Sequence, residues 1–405
     1  MLLYRCLFTL ALPLVVLALL LRVVRRVESF VDFQERLGLW PELSNEPIIW
    51  CHAASNGELS AARPMIEKLK ETNALLITCN SVSGKRLVQS WALKNTQCRL
   101  APLDLAWLYH RIVQKNNFRM FTLFEADFWP NRLIALKNAS VPVSLIGGRI
   151  SEKSAKGWAR FGGLASRVFG SFDLICAQDG ASEKRLQNLG GQSFGPRIAL
   201  KSFYQAPRPH TPNTERARTW LAASTHQGED EILLTAHMQI LERAPHVKMI
   251  LAPRHPKRGD EIAKIAQTLG FETKQRSKGA SFDQANALFI ADTLGEMDKW
   301  YAASSICFVA GSLVAKGGHT PFEPLAHDCA ILHGPHLENF AEPYAALATH
   351  EGARMGLNAE DVANNVLALL ENDVATRQLH NARNALGAAQ TLDQVLDALQ
   401  HTLKS

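Results

Sequence analysis

The sequence contains no C-x-x-C pair and no regular cysteine spacing. Its seven cysteines (Cys6, Cys51, Cys79, Cys98, Cys176, Cys307 and Cys329) are odd in number and mostly lie within apolar runs. This argues against a thiolate zinc site or a disulfide framework and fits reduced thiols. The motifs G-x-x-x-x-G-K-[ST], G-x-G-x-x-G and H-E-x-x-H are all missing. The common phosphate-loop, dinucleotide and zinc-protease chemistries therefore have no local support. No D-x-D motif is present, which weakens a metal-dependent sugar-nucleotide reading, and no histidine pair stands at helical metal spacing beside a carboxylate. No cofactor or metal is expected. Short-period repeats and low-complexity segments are absent. The net charge of +6 is modest and forms no concentrated basic stripe. Nucleic acid is thus not an expected partner, whereas an anionic ligand or membrane surface is compatible.

What is present is ordinary globular material, 405 residues at 47% apolar and 20% charged, enough for two or three domains with real cores. The N-terminus is the exception. Cys6 to Leu21 carry no charge; Arg5 precedes them and Arg22, Arg25 and Arg26 follow. Arginines after the apolar core, with no small-residue cleavage site, argue for a retained anchor over residues 1–28 rather than a removed signal peptide. The arginine cluster favours a cytoplasmic main body. The run is slightly short for a span, and Pro13 interrupts it. A helix lying in the interface therefore stands beside a spanning one.

From residue 29 to 203, short apolar runs alternate with helical patterns. Strands are expected at 48–51, 74–79, 120–124, 141–146 and 174–177. Residues 204–213, with Pro207, Pro209 and Pro212, read as a linker. The alternation restarts over 214–405, with strands expected at 220–223, 247–251, 287–291, 306–310 and 330–332, and a tail helical from Ala359 onward. The expectation is two parallel α/β domains joined by the linker with a ligand cleft between them, and ligands at the carboxyl ends of the strands.

Polar clusters fall at those strand ends. The most pronounced is Gly311-Ser-Leu-Val-Ala-Lys-Gly-Gly-His-Thr-Pro-Phe-Glu323, a strand, glycine-rich loop and helix start. It reads as a place where free backbone N–H groups meet a phosphate, with Glu323 beside a ribose diol, or as a plain turn. Glu58 in Ser55-Asn-Gly-Glu58 is either a helix-start residue or a general base. Glu125 and Asp127 precede Phe128-Trp129 and are either a carboxylate pair tuned apart in pKa or, for Asp127, a helix cap. Arg149 and Arg254 follow further strands and suit an anion or a structural role.

In order and spacing, these motifs resemble the bacterial 3-deoxy-D-manno-octulosonic acid (Kdo) transferases of lipid A assembly. The resemblance is carried by His52-Ala-Ala-Ser-Asn-Gly-Glu58, Pro102-Leu-Asp104, Glu125-Ala-Asp-Phe-Trp-Pro-Asn131, Arg149-Ile-Ser151, Ala223-Ser-Thr-His-Gln-Gly-Glu229, Pro253-Arg-His-Pro256, Asp292-Thr-Leu-Gly-Glu296, Gly311-Ser-Leu-Val314, Gly317-Gly-His319 and Asn339-Phe340. It implies a glycosyltransferase of the B type, with two Rossmann-like domains facing a cleft, that moves Kdo from CMP-Kdo to a tetraacylated lipid A precursor at the inner membrane, inverting and metal-independent. It implies Glu58 as proton acceptor, and Glu125 and Lys201 as transition-state support. It places CMP on Pro253, Arg254, Leu294, Gly295, Glu296, Thr320, Pro321, Phe322 and Glu323. Thr320 stands where the family usually has Asn, and Lys201 follows a longer Gly195-to-Leu200 run than the family carries. The rival readings are a two-domain transferase using a UDP-sugar and a catalytically inactive membrane-anchored binding protein.

Overall fold

The structure is a computed structural model that describes residues 1–41, 43, 46–204, 206, 213–284, 287–387 and 389–404. Pro207, Pro209 and Pro212, and with them most of the expected linker, lie outside the described residues. The chain divides into two compact units. The first holds everything up to Phe203 together with the C-terminal helix Ala389–Lys404; the second is Tyr204–Gly387.

The first unit is built on β1 (Ile48–His52), β2 (Ala74–Cys79), β3 (Thr96–Leu100), β4 (Phe118–Phe124), β5 (Val143–Gly148) and β6 (Leu174–Ala177). All pair in parallel, in the order β3-β2-β1-β4-β5-β6. A parallel sheet covered on both faces needs apolar residues on both, which is why its central strands read as unbroken apolar runs. Every residue of β1 is buried. Trp50 packs edge-on against Phe121 at 5.1 Å between ring centroids, and its indole N–H donates to Thr78 Oγ1 at 2.8 Å.

The second unit carries β7 (Thr219–Thr225), β8 (Lys248–Pro253), β9 (Thr273–Gln275), β10 (Leu288–Ile290), β11 (Ile306–Val309), β12 (Ala330–His333) and β13 (Arg354–Met355). The order is β13-β12-β11-β7-β8-β10-β9, again parallel throughout. In each sheet the loops after the strands emerge at one edge, so the polar clusters of each unit gather there.

Three departures from the sequence expectations have physical reasons. Strands β3, β9 and β13 were not expected; they are sheet edges, only partly buried, and need no apolar run. Pro13 does not break the N-terminal helix, which runs unbroken over Leu2–Val24. The C-terminal helix does not belong with the second domain: Val395 and Leu399 are buried in the core that holds Ile49, Met65 and Phe124 of the first unit.

Leu399→Ala should therefore destabilise the first unit by about 2–5 kcal/mol, through lost burial and the cavity left behind. Urea unfolding followed by fluorescence, with Trp50 in the same unit, would read this.

Candidate functional site

In the first unit, β1 ends at His52 and the next helix, Asn56–Lys70, starts on Ser55, whose hydroxyl accepts from the Glu58 N–H at 3.3 Å. Glu58 in turn accepts from the Ala54 N–H at 2.7 Å. The helix-start reading of Glu58 is therefore real chemistry, but it uses one carboxylate oxygen only. Burial, and then the nearby Glu125 and Asp127 charges, push the Glu58 carboxyl up to about 7, against the pull of the Ala54 N–H. A carboxylate tuned there is suited to taking a proton near neutral pH.

Asp127 has a different task. Its Oδ2 meets His52 Nε2 at 2.7 Å and accepts from Asn80 Nδ2 at 3.3 Å; its Oδ1 accepts from Trp129 Nε1 at 2.8 Å. Arg132, fully buried, lies 3.4 Å from Oδ2. His52 is buried, and its pKa falls to about 4, so the ring is neutral. A carboxylate only accepts; Nε2 must therefore carry the proton and Nδ1 accept from the Thr78 hydroxyl at 2.8 Å. Those partners hold Asp127 ionised, well below the usual carboxylate range, despite burial. It does not cap the following helix, whose N-cap is Trp129. Of the two carboxylates at the end of β4, Asp127 belongs to the framework.

Glu125 is left facing the site. Its φ is +57° and that of Asp127 is +89°, so both non-glycine residues sit in left-handed backbone. Such conformations cost about 1–3 kcal/mol each and persist only where the surroundings impose them. Here Arg149 N–H donates to the Glu125 carbonyl and Glu125 N–H to that of Ile146. Burial raises the Glu125 carboxyl, while the positive charges of Lys201 and then Arg149 pull it back. The structure thus brings Glu58, Glu125 and Arg149 around one cavity of about 450 Å³, with Lys201 close enough to act on Glu125. Phe128, Ser154 and Trp158 line this polar cavity and also a second one, of about 890 Å³, whose lining is mostly apolar.

In the second unit, the glycine-rich loop does not offer its first amides to a ligand. Buried Glu229 takes them: its carboxylate accepts from the N–H groups of Gly311 at 2.7 Å, Ser312 at 3.0 Å and Leu313 at 2.9 Å, and from that of His226 at 2.9 Å. The expected phosphate seat at the start of this loop is corrected accordingly. Gly317 turns tightly at φ +83°, and a Cβ there would come within 2.5 Å of the Asn339 amide. Helix Phe322–Ala326 follows, with Pro321 as its N-cap rather than its first residue.

The other sequence-derived donor residues also lie after strands of this sheet. Pro253 ends β8, and the Arg254 N–H donates to the Thr225 carbonyl at 3.0 Å. Leu294 is 79% exposed, and a Cβ on Gly295 (φ +82°) would meet no other described residue within 4 Å beyond its chain neighbours. Glu296 is engaged by a two-pronged Arg276 contact at 2.9 Å and by Thr293; these hold its carboxyl down to about 2. Its side chain therefore serves the loop. Thr320 is buried and its hydroxyl accepts from the Phe322 N–H at 3.3 Å. Glu323 is half-buried and its charge reaches Tyr204 and Tyr301.

Sequence reasoning missed two features. Glu229 had no local mark separating it from an ordinary helix-start glutamate, since its partners lie more than 80 residues away. His226 and His319 stack at 5.3 Å with their Nε2 atoms 3.1 Å apart, so one proton lies between them. Both stood inside quoted motifs, but only the fold pairs them.

Glu229→Ala would leave these loop amides without their acceptor, at a cost of about 3 kcal/mol or more. Hydrogen exchange should show faster amide exchange at Gly311 to Leu313; unchanged protection there would contradict the assignment.

Residues 31–200 match the family model described as 3-deoxy-D-manno-octulosonic-acid transferase (kdotransferase). A 3-deoxy-D-manno-octulosonic acid transferase of Haemophilus influenzae is 28% identical over 94% of this chain and 92% of its own length. One from Bordetella pertussis is 29% identical over 88% of this chain and 87% of its own. Among solved structures, a putative UDP-N-acetylglucosamine 2-epimerase from Listeria monocytogenes superposes with a TM-score of 0.62 at 12% identity, covering 89% of this chain and 98% of that one. That likeness concerns the fold alone, two parallel-sheet α/β domains of the glycosyltransferase B type. With the family model matching residues 31–200 and such proteins aligning over nearly the whole length of the chain, the protein is similar to the 3-deoxy-D-manno-octulosonic acid transferases.

Proposed function

We propose that the protein transfers Kdo from CMP-Kdo to a hydroxyl of the tetraacyl lipid A precursor lipid IVA, with inversion and without a metal, at the cytoplasmic face of the inner membrane. One observation carries the reading. A carboxylate poised near neutral pH, Glu58, faces Glu125 and Arg149 across a polar cavity that shares a wall with a larger apolar one. A sugar hydroxyl fits the first and an acyl chain the second. Arg160, lining the apolar cavity, suits the acceptor's phosphate.

In the reaction, the acceptor oxygen attacks the anomeric carbon of Kdo as the bond from that carbon to the CMP phosphate oxygen breaks. The hydroxyl proton passes to the Glu58 carboxylate, and CMP leaves with the bonding pair. A hydroxyl is a weak nucleophile, and a positioned base contributes about 10²–10⁴-fold to such a step. Glu125, balanced by Lys201 and Arg149, supports the charge that develops at the reacting centre. On the donor side, Pro253, Arg254, Leu294, Gly295 and the run Thr320 to Glu323 hold CMP. Its ribose lies on the Glu323 carboxylate, and its phosphate on Arg254 and the later part of the glycine loop. Glu296 acts through its backbone, because Arg276 engages its side chain. The N-terminal helix, with a mean hydropathy of 2.6 over Tyr4–Val24, attaches the protein to the membrane that carries the acceptor.

Because the base works only when ionised, transfer should fall roughly tenfold per pH unit below about 7 and level off above it. Glu58→Gln should lose the pH dependence along with at least about 100-fold of the rate. CMP affinity, read by calorimetry, should hardly change. Loss of CMP binding together with activity would instead make Glu58 a structural residue. Mass spectrometry of the lipid after incubation with CMP-Kdo tests the reaction itself; no Kdo added to lipid IVA would refute it.

A further inference from the structure

The N-terminal helix is long enough to cross a bilayer. Its 23 residues rise about 34 Å, against a hydrocarbon core of about 30 Å. Yet it is held to the first unit at its beginning. The Tyr4 hydroxyl donates to Asp104 Oδ2 at 2.8 Å, and Arg5 Nε donates to Asn131 Oδ1 at 3.0 Å. Asp104 is buried and fixed by the N–H groups of Asn131 and Arg132 at 2.9 Å each. Phe8 meets Trp129 edge-on at 6.4 Å, and Phe8 and Leu12 pack on the unit's core. The other end is held too: Arg22 pairs with buried Glu28 at 3.0 Å, and Arg36 pairs with the same carboxylate at 2.9 Å.

Between the ends, burial follows one helical face. Tyr4, Phe8, Leu12, Val15, Val16, Leu19 and Val23 are partly or fully covered. The opposite stripe of Leu7, Leu10, Leu14, Leu17, Leu21 and Val24 is 45–77% exposed, at the three- and four-residue spacing of a single face. A helix crossing the bilayer has lipid on every side, and its far end cannot touch a domain on the near side. A helix at the interface has one apolar face for lipid and one for protein.

We propose that this helix lies in the plane of the membrane surface, with both ends on the side of the catalytic unit. The outward leucine stripe sinks into the leaflet, and Arg5, Arg22, Arg25 and Arg26 meet anionic headgroups. The occupant of the stripe is a lipid leaflet, because a basic border around an apolar face matches an anionic membrane surface. The placement has a consequence for the substrate. Met1, Tyr4 and Leu7 line the same apolar cavity as Trp129, Trp158 and Phe161. The anchor is thus one wall of the acyl-chain entrance, and a lipid can slide from the leaflet into the site without crossing water. This inference rests on the membrane-binding role proposed above for the helix.

The test uses the full-length protein in membranes. Leu7→Cys and Ser154→Cys, which line one cavity, are combined in a Cys6→Ser background; the other native thiols are all buried. Membranes from expressing cells are pelleted at physiological salt and treated with a short bismaleimide. If the helix lies in-plane, the two positions cross-link in the membrane fraction as efficiently as in detergent-solubilised protein. If it spans, Leu7 sits about 26 Å up the helix from Val24, in the far leaflet, and the cross-link is lost in membranes. Loss in membranes with formation in detergent overturns the in-plane placement, as does absence of the cross-link in both. Protein found wholly in the supernatant overturns the membrane-binding role itself, a separate failure.

Discussion

The polar cavity of the first unit depends on a partly buried anion that takes no part in the chemistry proposed. Asp127 fills its oxygens with His52, Trp129, Asn80 and Arg132, and this holds the loop after β4 in two successive departures into left-handed backbone. The loop then places both Glu125 and Asp127 on the wall of the cavity, with the Asp127 oxygens engaged by those partners. A carboxylate is costly to bury, and the cost is met by partners that only this fold assembles. His52 comes from the end of β1, Thr78 and Asn80 from the end of β2 and the residue after it, and Arg132 from the helix after β4. Parallel pairing of β2, β1 and β4 puts those ends side by side.

Glu229 repeats this arrangement in the second unit. It receives the amides of Gly311, Ser312 and Leu313 at the point where a bound anion is commonly found after a strand. The protein supplies its own anion there, and that anion fixes the loop. Both units therefore contain carboxylates of two kinds, saturated ones that shape a loop and less saturated ones that remain for substrate. Glu58 and Glu125 are of the second kind, and burial raises the carboxyl pKa of each. Asp127 is held ionised by its hydrogen bonds.

That distinction marks where the sequence stops being legible. Central strands such as β1 and β4 were visible because a doubly covered parallel strand must be apolar on both faces, and the helix starts were visible through their caps and prolines. Strands β3, β9 and β13 were not, because an edge strand carries no such requirement. Glu58, Glu125 and Arg149 stood out as polar residues at strand ends, and the fold brings them around one cavity. The role of Asp127 was ambiguous between cap and catalytic partner. Only the approach of His52, 75 positions away, decides it. Nothing near Glu229 foretold that its partners lie beyond Ala310. Long-range pairing of charged groups leaves no periodicity to read.

The return of the C-terminal helix to the first unit bears on how the molecule is made. Synthesis releases the first sheet early, but Val395 and Leu399 leave the ribosome only after the whole second unit. The second unit can close as soon as Gly387 has emerged, whereas the first keeps an uncovered apolar groove until the helix Ala389–Lys404 follows. For most of its synthesis the nascent chain thus carries two unfinished apolar surfaces, the leading helix and this groove. The unit whose sheet is made earlier is completed after the other.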